Sequence, residues 1–220
     1  MADETFSAAD GHRFNMYVAG SDQAVHALVV VQEIFGVNSH IRDVCGRFAA
    51  AGYLCAAPAL FDRAERGVSL GYSPADVARG RELRAKVTDS GALADIAAAI
   101  ARLGQRRVGV VGYCWGGSLA WLAATRLPGV VAASCWYGGG IAATRTEQPH
   151  CPVQMHFGGK DAGIPLADVA AIKAAQPDSA IYIYPEAQHG FGCDARASYS
   201  AVDAALAQER TLAFFSKHLG

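Results

Sequence analysis

The chain has 220 residues, of which 52% are hydrophobic and 18% charged. That composition supports one sizeable core and a single domain over residues 1–220. A formal net charge of -1 argues against a basic nucleic-acid footprint and a disordered acidic tail. No apolar stretch is long enough to cross a membrane, and Met1-Ala2-Asp3-Glu4 lacks the charged and apolar regions of a secretory signal. A cytoplasmic protein, with no membrane and no nucleic acid among its partners, is the expectation.

Ala27-Leu28-Val29-Val30-Val31 is short, apolar and rich in β-branched residues, the pattern of a buried parallel strand. Gln32 to Asn38 follows as a loop. His40 to Ala51 is predicted as a helix with Ser39 as its cap. Tyr53-Leu54-Cys55-Ala56-Ala57 is a second buried strand, stopped at Pro58. A long polar excursion runs from Leu60 to about Ala85. Within it, Ser73 and Pro74 suit the cap and first position of a helix. Gly91 to Leu103 places Leu93, Ile96, Ala97 and Ile100 on one side of a helix. Arg107 to Val111 reads as a strand, Gly116 to Thr125 as a helix, and Val130 to Trp136 and Val153 to Phe157 as further strands. Pro165 to Ala175 is helical in pattern. Ala180 to Tyr184 alternates like a strand nearer the sheet edge, and Ala201 to Leu219 is a closing helix. The alternation predicts an α/β fold, a mostly parallel central sheet flanked by helices.

The cysteines, at 45, 55, 114, 135, 151 and 193, contain no Cys-x-x-Cys pair, which argues against a zinc knuckle or a thioredoxin-type redox site. A chain of this length folds without disulfides, so free thiols are expected. The histidines form no short-range metal motif; a site assembled from distant residues stays open.

Chemistry concentrates at Val108-Gly109-Val110-Val111-Gly112-Tyr113-Cys114-Trp115-Gly116-Gly117. The Gly-x-Cys-x-Gly pattern is that of an α/β-hydrolase nucleophile elbow with a thiol in the serine position. Glycine is favoured there because a sharp strand-to-helix turn leaves no room for a β-carbon. The alternative is a buried structural cysteine beside a glycine-rich turn. Asp161 follows the strand Val153 to Phe157, and His189 follows the strand Ala180 to Tyr184. Nucleophile, acid and histidine thus come in the chain order of an α/β-hydrolase triad, each beyond the carboxyl end of a strand. Taken singly, Asp161 also suits a turn or a helix cap.

Gln32-Glu33-Ile34-Phe35-Gly36-Val37-Asn38, the cysteine elbow, Gly158-Gly159-Lys160-Asp161 and His189-Gly190-Phe191 together resemble the dienelactone hydrolase (carboxymethylenebutenolidase) family over nearly the whole chain. The resemblance implies Cys114 as nucleophile, Asp161 and His189 as its triad partners, and Glu33 as a second carboxylate contacting the thiol. It also implies an oxyanion hole from the backbone amides of Ile34 and Trp115. The family fold is a compact α/β-hydrolase domain without a large lid, with no metal or organic cofactor. A monomer is implied, a homodimer being the alternative. The implied reaction is hydrolysis of dienelactone, an anionic enol-lactone, to maleylacetate in the breakdown of chlorinated aromatic compounds. The sequence departs from the family where the substrate carboxylate would bind. Cys193 stands at one arginine position, with Arg196 nearest to it. The other position falls near Val77, with Arg79, Arg81 and Arg84 close by. Trp115 replaces a usual leucine, and Phe35 and Tyr137 are candidate apolar walls. A cysteine-dependent carboxylesterase or thioesterase is the runner-up, and a non-catalytic binding or redox-sensing protein the third reading.

Overall fold

A computed structural model describes residues 2–220. The strands are β1 (Ala2–Ser7), β2 (Arg13–Ala19), β3 (His26–Val31), β4 (Leu54–Pro58), β5 (Arg107–Tyr113), β6 (Val130–Trp136), β7 (Val153–Gly158) and β8 (Ala180–Tyr184). They form one 8-stranded sheet in the order β1-β2-β4-β3-β5-β6-β7-β8. From β4 to β8 every pairing is parallel, while β1 and β2 run antiparallel at one edge. The helices are α1 (Ser39–Ala50), α2 (Pro74–Lys86), α3 (Asp89–Arg102), α4 (Trp115–Arg126), the short α5 (Ile141–Thr144), α6 (Leu166–Ala175) and α7 (Ala201–Leu219).

The central strands are buried on both faces, which is why their sequences are apolar runs rather than alternations. On one face α1 meets α7 through the Phe48 and Phe215 rings, 6.4 Å apart. Gly109 on β5 makes room there, because a β-carbon would lie 2.6 Å from Phe215. On the opposite face α4 packs along β5 and β6, with α3 beside it.

The connection from β3 goes out to β4 and returns to β5 on the other side of β3. Chain direction across the sheet therefore reverses at β3 and β5. In such sheets a crevice opens beyond the carboxyl ends of the strands at that point. Glu33 leaves β3 there, and Cys114 leaves β5.

The predicted boundaries of β6, β8 and α7 coincide with the observed ones. The cap of α1 differs: the side chain of Asn38 accepts from the Ile41 amide, and Ser39 is the first helical residue. Ser73 and Pro74 do open a helix, with Asp76 returning a bond to the Ser73 amide in a capping box. The edge pair β1 and β2 has no counterpart among the predicted elements.

Candidate active site

Cys114 has φ +57° and ψ -116°, a conformation that L residues rarely adopt. It sits between the last residue of β5 and the first of α4. Its amide donates to the Trp136 carbonyl on β6 at 3.0 Å, which fixes the turn to the neighbouring strand. The flanking glycines are required by close backbone contact. A β-carbon on Gly112 would lie 1.9 Å from the Gly116 carbonyl oxygen, and one on Gly116 would lie 2.3 Å from that of Val31. Trp115 opens α4, so its amide has no acceptor within the helix.

The Cys114 sulfur lies 3.1 Å from His189 Nε2. On the other side of the ring, Nδ1 lies 2.7 Å from Asp161 Oδ2. Asp161 is itself oriented: Oδ1 accepts from the Gly163 amide at 2.8 Å. The Ser198 hydroxyl donates to the His189 carbonyl at 2.7 Å, holding the histidine loop from behind. The Tyr137 ring, at φ +40°, stands edge-on to the imidazole with centroids 5.2 Å apart. Burial works against a charge on His189. The bonds to Asp161 and to the sulfur outweigh it and push the imidazole up to about 10.

Glu33 is 1% exposed and does not stand unpaired. Arg196 Nη1 donates to Oε1 at 3.2 Å and the Tyr72 hydroxyl to Oε2 at 3.1 Å. Burial, then the Glu33 charge, push the Tyr72 phenol far above its ordinary range, so it remains a donor. In this state the hydrogen-bond partner of the thiol is His189, and the partners of Glu33 are Arg196 and Tyr72.

A family model for the dienelactone hydrolase family matches residues 14–219. A Synechocystis protein named "Putative carboxymethylenebutenolidase" is 38% identical, covering 87% of this chain and 86% of its own length. A carboxymethylenebutenolidase of Pseudomonas putida is 34% identical, covering 94% and 92%. The crystal structure of a "Putative Dienelactone Hydrolase" from Klebsiella pneumoniae superposes with a TM-score of 0.83 at 33% identity, covering 98% of both chains. The chain belongs to the dienelactone hydrolase family. It is, as such, a hydrolase of carboxylic esters.

The arginines separate once this dienelactone hydrolase family member is seen in three dimensions. Arg79 is engaged by Glu65 and Glu82 on the outer side of α2. Arg84 pairs with Asp89 at 2.7 Å and lies over the Trp115 ring at 4.8 Å. That places it on a cavity of about 430 Å³ shared with Cys114, Leu119, Leu122 and His189. Arg81 and Arg196 line a second cavity of about 420 Å³, together with Lys160, Asp161 and His189. Burial opposes the charge on Arg196, and the Glu33 carboxylate, with smaller help from Cys114, Tyr137 and Cys193, more than restores it. The Trp115 ring stacks on Phe61, with centroids 5.6 Å apart, so it packs on the protein side of its cavity. Phe35 is buried edge-on against Tyr72. Ile34 is half-buried, with its carbonyl seated where a β-carbon on Gly80 would be.

Sequence reasoning passed over Tyr72 and Ser198 as site residues. Tyr72 immediately precedes the capped start of α2, which was the available signal. Ser198 had none, because a hydroxyl bonded to a backbone carbonyl leaves no pattern. A cavity of about 930 Å³ lies at the other end of β7 and β8, against α7, and holds none of these residues.

Proposed function

We propose that this chain hydrolyses an enol-lactone such as dienelactone to maleylacetate, with Cys114 as the nucleophile and a thioester as intermediate. The observation that carries the reading is the hydrogen-bonded line from Asp161 through His189 to the Cys114 sulfur, with links of 2.7 and 3.1 Å. Its three members are the residue types and the chain order of an acyl-transfer triad.

The thiolate of Cys114 attacks the lactone carbonyl, and the carbonyl electrons move to oxygen. The amides of Trp115 and Ile34 stabilise that oxyanion. On collapse the ring C–O bond breaks and an enolate departs, taking a proton from the His189 imidazolium. His189, now neutral, removes a proton from water, which attacks the thioester; the C–S bond breaks and the Cys114 thiolate is released beside the re-formed imidazolium. A conjugated enolate leaves far more easily than an alkoxide, so a thiolate suffices. Ordinary alkyl esters and peptides are therefore expected to react poorly.

The substrate carboxylate is assigned to Arg81 and Arg196, which line the second cavity beside His189, in preference to Arg84, whose guanidinium is held by Asp89 and the Val87 carbonyl in the other cavity that His189 lines. A guanidinium grips a carboxylate with paired hydrogen bonds, which orients the lactone carbonyl toward the sulfur. The test is steady-state hydrolysis of cis- and trans-dienelactone beside p-nitrophenyl acetate. Efficient loss of dienelactone is expected. Arg81→Gln should raise KM for dienelactone several-fold more than for the neutral ester. Turnover of p-nitrophenyl acetate with none of dienelactone would reject the lactone and leave a cysteine-dependent esterase.

A further inference from the structure

Glu33, His40 and Cys193 bring a carboxylate oxygen, a ring nitrogen and a thiol sulfur within 4.8 Å of one another. Among the described residues this is the one such grouping of three. The residues come from the end of β3, the first turn of α1 and the loop beyond His189, and are 1%, 1% and 0% exposed. Neither ring nitrogen of His40 has a hydrogen-bond partner. Nδ1 lies 3.6 Å from Asp194 Oδ1 at the surface, a distance too long for such a bond. A neutral imidazole buried without partners, beside a thiol and a carboxylate, is a side chain with donor and acceptor capacity left over.

We propose that Glu33, His40 and Cys193 form a binding site for a thiophilic divalent cation of the Zn²⁺ class, which competes with Arg196 for the Glu33 carboxylate. The mixed oxygen, nitrogen and sulfur donor set suits such a cation and not the harder Mg²⁺ or Ca²⁺. Tetrahedral bonds of about 2.0–2.3 Å put ligand atoms roughly 3.3–3.7 Å apart, so the widest pair has to close by about 1–1.5 Å. Asp194 is positioned to become the carboxylate that backs a ligating histidine. On binding, the Cys193 thiol loses its proton to solvent, His40 donates a lone pair, and one Glu33 oxygen turns from Arg196 to the cation.

Charge explains the competition. Carboxylate and thiolate together balance a divalent ion, so a guanidinium left in place would be an uncompensated buried positive charge. Arg196 has somewhere to go: its side chain is 21% exposed and lines an open cavity with Tyr72 and Gln188. Loading the site would take Glu33 and Arg196 out of the arrangement described above. The consequence, metal inhibition, rests on the proposed function, but the binding itself does not.

The test is titration of the purified chain with Co²⁺, followed by the thiolate-to-cobalt absorption band, then displacement by Zn²⁺. One Co²⁺ per chain is expected, with the band kept in Cys114→Ala and lost in Cys193→Ser. His40→Asn should weaken binding at least tenfold, and Arg196→Gln should tighten it by a similar factor. Circular dichroism checks each variant, and His40→Asn decides the matter should Cys193→Ser fail to fold. No band up to millimolar Co²⁺ would overturn the proposal. So would a band that persists in Cys193→Ser and disappears in Cys114→Ala, which would put the metal on the triad.

Discussion

Cys114 and His189 are joined by one 3.1 Å contact, and replacing either end has separable effects. Cys114→Ala removes the proposed nucleophile while leaving the elbow glycines and the Trp136 anchor in place. Its turnover should fall at least ~10³-fold, with the urea unfolding midpoint little changed. The His189 imidazole gives a second expectation. Its affinity for a proton is higher in the folded chain, at about 10, than its ordinary value of 6.5. The stabilisation it supplies is therefore full below about pH 6.5 and is lost as pH rises toward 10. Asp161→Asn removes its strongest supporting bond, so unfolding free energy measured from pH 6 to 10 should fall less steeply in that variant. An equally steep fall would detach the histidine from the pH response. The triad was legible in sequence because each member directly follows a recognisable strand. The partners of Glu33 were not. Arg196 is distant in sequence, |i−j| = 163, and reaches Glu33 only because the loop after His189 folds back through successive turns.

The elbow is an element whose sequence and geometry leave little freedom. A methyl on Gly116 would meet the Val31 carbonyl oxygen at 2.3 Å, and backbone cannot move aside as a flexible side chain can. Gly116→Ala should cost about 3 kcal/mol or more in chemical denaturation, or fail to accumulate as folded protein. The capped start of α2 is a milder case. Ser73→Ala removes one half of the capping box, at a cost of about 1 kcal/mol. Because α2 carries Arg81, its first-turn amides should exchange faster with solvent, and KM for an anionic lactone should rise. Strong helix signals of this kind, and continuous apolar strands, were readable from the chain. The pair β1 and β2 was not. Asp3, Glu4 and Ser7 give β1 a polar strand with no apolar run, and β2 carries Arg13 and Asn15. Edge strands are specified by pairing with a neighbour, which a local pattern does not contain.

At the scale of the molecule, the sheet reverses its winding between β3 and β5, and the helices on each face hold that crevice open. Stability and chemistry are therefore carried by different parts. Phe215 is fully buried where α7 crosses β5, near Gly109 and far along the strand from Cys114. Phe215→Ala should lower unfolding free energy by about 3–5 kcal/mol while the folded fraction keeps its KM. The measurement that bears most directly on the proposed chemistry is an acid quench during dienelactone turnover, followed by peptide mass spectrometry. The ring-opened acyl group is expected on the peptide bearing Cys114, as a hydroxylamine-labile thioester, with neither adduct nor turnover in Cys114→Ala. An adduct on another residue, or sustained turnover by folded Cys114→Ala, would contradict the cysteine mechanism.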